Sequence, residues 1–155
     1  MAVLALTSNQ TTPETRGNVK ENHSKVRFAH FNLDAVAVAG DANTTIELCK
    51  LPPGPVRVIP ELSRVKNSAF GASRVLKIGH RAYQNRDNPS LAQIAEDDDA
   101  FGSALDMATA TTQKVGSAVK FDVYSKEGIT VFATVTGGTI PVGATLDGFI
   151  AYTYE

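Results

Sequence analysis

The strongest constraint in this chain is a two-residue rhythm in its last third. Val119, Phe121 and Val123 alternate with Lys120, Asp122 and Tyr124. Ile129, Val131, Ala133 and Val135 continue on one face, and Leu146, Gly148, Ile150, Tyr152 and Tyr154 close the chain at the same spacing. Successive side chains of a strand point to opposite faces, so this rhythm demands strands with one buried side; a helix would scatter the same residues around its circumference. Ser125-Lys126-Glu127-Gly128 reads as a tight hairpin loop with its glycine at the left-handed position. Gly137-Gly138 and Pro141-Val142-Gly143 turn the chain twice more. Composition agrees. Val, Ile and Thr number 15, 7 and 15, against 10 Leu, 7 Glu and 8 Lys, so residues that suit a pleated, half-buried surface outnumber strong helix formers.

The strands begin at Lys25. Val26 and Phe28 share one parity, and then Phe31 and Leu33 take the other, which predicts either a bulge or a strand buried on both faces. Asp34–Ala39 and Thr45–Leu51 read as a hairpin about Gly40-Asp41-Ala42-Asn43, ended by Pro52, Pro53 and Pro55. Val56–Ile59 is a short strand, residues 61–72 a loop with one helical turn, and Ser73–Arg81 a strand. Asn88-Pro89-Ser90 opens the one helical stretch: capping residues come first, then the carboxylates Asp97, Asp98 and Asp99, then Ala100, Phe101, Ala104, Leu105 and Ala108 at helical spacing, with Gly102 weakening it.

A chain of 155 residues makes one domain with a real core. Regularly spaced short strands, about eight, predict a mainly β, jelly-roll-like β-sandwich with one short helix. That domain spans residues 25–155. Residues 1–24 form an extended N-terminal arm, polar from Thr7 to Ser24, which alone cannot bury enough surface to offset its ordering entropy. Its apolar tip, Val3, Leu4 and Leu6, is the expected anchor on a neighbour.

Fifteen basic residues face 16 acidic ones, a balance that argues against a dedicated nucleic-acid binder. No apolar run approaches the ~18 residues of a membrane span. Met1–Leu6 lacks the basic start and the length of a signal peptide, so synthesis and residence in the cytosol are expected. The single cysteine, Cys49, excludes an internal disulfide framework and reads as a small buried hydrophobe. Among catalytic patterns there is no G-x-S-x-G, no H-E-x-x-H and no Gly-rich loop opening a helix. His23, His30 and His80 stand singly, where a cupin-like metal centre needs two histidines one residue apart. Glu96–Asp99 do not follow the alternate spacing of a calcium loop and read as a solvated helix start. A non-enzymatic protein is expected, with no cofactor and no metal.

Charge is distributed in blocks. Residues 56–86 hold Arg57, Arg64, Lys66, Arg74, Lys77, Arg81 and Arg86 against Glu61 alone, and residues 87–106 hold six acids and no base. Three readings stand: surfaces that neutralise each other within one subunit, complementary faces between subunits, or a nucleic-acid patch. The last is the weakest, because the acidic block repels phosphate.

Four runs carry a family resemblance. They are Val56-Arg57-Val58-Ile59-Pro60-Glu61-Leu62-Ser63, Ala69 through His80 (AFGASRVLKIGH), Glu96 through Asp106 (EDDDAFGSALD) and Ile129 through Pro141 (ITVFATVTGGTIP). Together they resemble the head decoration, or cement, proteins of tailed bacteriophages, over roughly residues 35–155. The family brings no catalytic residues. The resemblance implies a virion protein on the capsid exterior that binds and stabilises the shell of major capsid protein, made in the host bacterial cytoplasm. It also implies a homo-oligomer, a trimer rather than a dimer, with no specific nucleic acid and no membrane as partner. On this reading the partner-binding residues are Val3, Leu4 and Leu6 at the arm tip, Arg16 in the arm, Arg64, Arg74, Arg81 and Arg86, and Asp97, Asp98 and Asp99. The alternative is another virion component (tail, collar or fibre base) or a carbohydrate-binding β-sandwich. The absence of Trp and the scatter of Tyr83, Tyr124, Tyr152 and Tyr154 weaken the sugar reading.

Overall fold

The structure is a computed structural model and describes residues 5–7, 25–85, 93–117 and 121–154. Among them are eleven strands: β1 (Ala5–Thr7), β2 (Arg27–Leu33), β3 (Thr45–Leu51), β4 (Gly54–Val58), β5 (Arg64–Asn67), β6 (Val75–His80), β7 (Asp97–Asp106), β8 (Thr111–Lys114), β9 (Phe121–Ser125), β10 (Ile129–Thr136) and β11 (Leu146–Tyr154). They form two sheets. The first runs β1-β3-β10-β6-β7, antiparallel except where β1 lies parallel to β3. The second is built around β11.

β11 pairs with β2 along one edge, from Leu146↔Leu33 to Tyr152↔Arg27. Its other edge is shared: β5 takes Leu146–Phe149 and β4 takes Tyr152–Tyr154. Beyond them lie β8 and β9. The handover from β5 to β4 falls at Ala151, where the Ile59 amide donates to the Ala151 carbonyl. The fully buried Ser63 hydroxyl closes the gap: it donates to the Ile59 carbonyl at 2.9 Å and accepts from the Ala151 amide at 2.9 Å.

The core fills the space between the sheets. Leu76, Ile78, Val131, Ala133 and Val135 of the first sheet meet Phe31, Val56, Val58, Val65, Leu146 and Ile150 of the second. In β3 the two-residue rhythm slips once: Val131 pairs with Cys49 and Phe132 with Glu47, which leaves Leu48 as a bulged residue. Both Leu48 and Cys49 are therefore buried.

The mainly β sandwich expected from the sequence is present, and several local expectations are corrected. The short helix is absent among the described residues: Asp97–Asp106 is strand β7, while the proposed cap Asn88-Pro89-Ser90 lies outside the described residues. Phe101 and Leu105, four apart, satisfy either period. β7 contains no β-branched residue, so local propensity pointed to helix. Pairing with the Val/Ile-bearing β6, through two register shifts, decides the outcome. Gly102, read as a helix weakener, is where the Val115 carbonyl packs against β7; a Cβ there would overlap it. The expected β9–β10 hairpin is a crossing between sheets, since β9 pairs with β4 and β10 with β3 and β6. Residues 61–72 contain strand β5. Asp34–Ala39 is not a strand but an irregular crossing tied by the Val36 amide to the Ala144 carbonyl and by a bridge at Gly40↔Ile140. The phase switch in β2 is not a bulge, since its register with β11 is continuous. Phe31 and Leu33 face the core, and Val26 and Phe28 are exposed.

Two predictions follow from this packing. Ser63→Ala strands the Ala151 amide without an acceptor at the centre of the second sheet, at a cost of roughly 1–3 kcal/mol in urea-unfolding stability; Ser68→Ala, on a partly exposed hydroxyl, serves as the comparison and costs less than half as much. Burial pushes the Cys49 thiol from 9.0 up to about 12. The folded protein at pH 8 therefore resists an aromatic disulfide reagent and reacts fully only after denaturation.

Candidate interaction surfaces

β6 and β7 lie side by side in the first sheet, so the basic and acidic blocks meet within one subunit. His80 pairs with Asp97 in the ladder. Gly79 makes this close approach practicable, because the Asp97–Asp98 backbone crosses where a Cβ would stand. Lys77 Nζ lies 3.2 Å from Asp98 and 3.8 Å from Asp99. Arg81 reaches Glu96 at 3.0 Å and Glu47 at 3.8 Å, donates to the Thr45 hydroxyl, and stacks its guanidinium 4.0 Å from the centre of the Phe132 ring. Each pair is half-exposed and contributes little alone, but together they pin the β6–β7 segment to the face of the sheet.

Asp97, Asp98 and Asp99 place carboxylate oxygens within 4.8 Å of one another, close enough to share a hard cation. The Lys77 ammonium already lies against two of them, and Asp97 accepts from the Asp99 amide. Lys77 thus offsets part of the charge of the cluster.

Arg64 and Arg74 serve as loop staples. Arg64 donates to the Glu61 and Ser63 carbonyls, and Arg74 donates to the Thr139 carbonyl and hydroxyl, holding the Gly137–Thr139 turn. Of the arm, Leu6 falls in β1, its backbone opposite Ile46 at the free edge of β3. Val3, Leu4, Arg16 and Arg86 lie outside the described residues. The described histidines do not converge: His30 is on β2 of the second sheet, and His80 is buried at the end of β6 against Tyr83 and Phe101.

The sequence reading missed two apolar surfaces. On the outer face of the second sheet Phe28, 44% exposed, meets Phe149 edge-on at 5.0 Å, and His30 joins them at 5.7 Å. This aromatic shelf sits on β2, which among the described strands pairs only with β11. An edge strand with exposed aromatic side chains is a template for docking. The second surface is at one end of the sandwich, where Val36 bonds to Ala144 and Gly40 to Ile140. Val38 and Val142, on these two segments, are both about two-thirds exposed. A signal for the shelf is present in the sequence: Val26 and Phe28 share a parity opposite to Phe31 and Leu33, and this places an apolar pair on the outer face rather than making a bulge or a strand buried on both faces.

No protein-family model matches the sequence, and no curated protein does. Among solved structures, a chain of infectious bursal disease virus, Gt strain, overlaps 92% of this chain and 41% of its own, at 9% identity and a TM-score of 0.42. A chain from the capsid of Ralstonia phage GP4 superposes with a TM-score of 0.69 at 17% identity, over 98% of this chain and 99% of that one. The two share one fold from end to end.

Proposed function

We propose that this protein is a virion structural component, a decoration or cement protein that binds the outside of a tailed-phage capsid and stabilises its shell of major capsid protein as a homotrimer. The observation that carries the reading is the end-to-end correspondence with a chain of a phage capsid. Two physical features support it. Lys77, Arg81, Glu96 and Asp98 are engaged inside the subunit, while apolar side chains stand exposed on the β2–β11 shelf and at Val38 and Val142. Exposed aromatics flanked by polar surface are what a protein-binding face presents. A shell also offers many copies of each contact, so modest individual affinities suffice when subunits are linked. The arm, through β1, reaches the edge of β3, an arrangement by which a terminal segment adds to a sheet.

The test is a co-sedimentation and cryo-EM experiment with heads assembled from the same virus's major capsid protein. Full-length protein is expected to saturate the heads and raise their disruption temperature, and light scattering is expected to give three times the chain mass of 16.5 kDa. Phe28→Ser lowers the melting temperature by only a few degrees, because it gives up the edge contact with Phe149 but no core packing, and weakens capsid binding at least tenfold. Removing residues 1–24 leaves a folded domain, since among the described residues the core cluster starts at Phe31, and lowers capsid occupancy. Absence of saturable binding to heads at micromolar protein would defeat the proposal. Wild-type occupancy by the truncated protein would defeat the role given to the arm.

A further inference from the structure

Among the described strands, sheet edges fall on β1, β2, β7, β8 and β9. All but one are blunted in the ways that native edges usually are. β7 opens on three aspartates and shifts register twice against β6. β1 has three residues and β8 four. β9 is bridged at Ser125 to Asn85, and the next amide, of Lys126, donates to the Gln84 carbonyl. β2 has none of these devices. It runs for seven residues in unbroken register with β11, with no proline and no charge from Phe28 to Leu33. Every second residue of such a strand turns its N–H and C=O away from its partner, and among the described residues no backbone bond reaches that side of β2.

Two features of β2 say what pairs with it. The first is charge. Lys25 and Arg27 stand at the start of the strand, and Asp34 stands just past its end. A parallel copy would set like charges side by side, whereas an antiparallel copy sets each basic end beside the other's acidic end. The second is register. His30 is the midpoint of Arg27–Leu33 and is exposed. Rotating a copy about an axis through His30, normal to the sheet, pairs the whole strand: His30 with its own counterpart, Phe28 with the second copy's Asn32, and Ala29 with the second copy's Phe31. Sliding to any other register of the same symmetry shortens the ladder. The exposed side chains of Phe28, His30 and Asn32 then share one outer face with their counterparts, and Phe31 and Leu33 stay on the core side. Exposed sheet edges recruit strands in this way, and a two-fold contact uses the same patch on both copies.

We propose that β2 is a docking edge for a second copy of this chain: two copies join through antiparallel β2 strands about a two-fold axis at His30, and their second sheets become one. The contact is distinct from the threefold association proposed above and stands whether or not that association forms. Where both form, it links one trimer to the next.

Disulfide trapping in the full chain reads the register directly. Opposed residues of antiparallel strands bring their Cα atoms to about 4.5–5.5 Å, inside the span of a disulfide. His30→Cys, mildly oxidised at submillimolar protein, is expected to give a covalent pair of twice the 16.5 kDa chain mass. It should form about tenfold faster than with Val142→Cys, an exposed site outside β2, because docked strands hold the two thiols at high effective concentration. Phe28→Cys and Asn32→Cys are each expected to stay uncoupled alone and to couple when mixed. Wild-type protein stays uncoupled, because Cys49 is buried. In the wild-type chain, exchange of the β2 amides that face away from β11 is expected to slow as protein rises from micromolar to submillimolar. His30→Lys sets two like charges face to face across the axis and reduces that slowing. The inference is overturned if His30→Cys couples no faster than Val142→Cys, if Phe28→Cys couples with itself, the mark of a parallel pair, or if exchange along β2 is independent of concentration.

Discussion

The fold depends on satisfying both edges of β11. A nine-residue strand at the centre of a buried sheet needs a continuous ladder on each side, because an orphaned buried amide costs as much as several good contacts gain. β2 supplies one side without interruption. The other is assembled from two short strands, β4 and β5, with a turn between them, and the turn leaves a gap at Ala151. Ser63 fills it with a single hydroxyl that donates to one strand's turn and accepts from β11. The side chain thus replaces a missing backbone bond. Beyond β4 and β5 the sheet continues with β9 and β8.

That arrangement explains why the first sheet carries the varied surface. Its inner residues are committed to the core opposite β11, and its outer face is crossed by the segment between β6 and β7. The crossing is held by charge: Lys77 and Arg81 project outward from the β6 end of the sheet and meet Asp98, Asp99 and Glu96 on the returning chain. Gly79 lets the backbone come close enough for these pairs to form. One glycine, two cations and a run of acids thus fix the crossing, and the same pairing withdraws those charges from any partner.

Much of the architecture was legible in the residues. β3, β6, β10 and β11 stand where β-branched alternation put them, and the turn glycines Gly137 and Gly143 have positive φ; β4 starts two residues earlier than expected, at Gly54, and takes in Pro55, which was expected to end the preceding hairpin. The failures have physical causes. β7 lacks β-branched residues and repeats its apolar positions four apart, a spacing that both periods accept, so only the neighbouring strand could decide it. Ser125–Gly128 has the composition of a hairpin loop, but loop chemistry does not say whether the next strand rejoins its own sheet. The Arg81 staple and the aromatic shelf draw on residues distant in sequence, such as Arg81 with Thr45 and Phe28 with Phe149, which only the fold brings together. The exposed face of β2 was visible in its parity and was misassigned, because a switch in hydrophobic phase is read by default as a way of burying both sets.

Internal neutralisation bears on how such a domain can bind at all. Half-exposed ion pairs within the subunit cost a partner twice: their charges must be desolvated and their existing geometry given up. Surfaces that give up nothing on docking are better placed. Phe28 and Phe149 already hold each other edge-on, so the shelf is rigid before any partner arrives and little side-chain entropy is lost on contact. Val38 and Val142 are β-branched and stiff for the same reason. On the decoration reading proposed above, affinity would come from small, preorganised apolar contacts repeated over a lattice, and the charged network would serve to hold the scaffold that presents them.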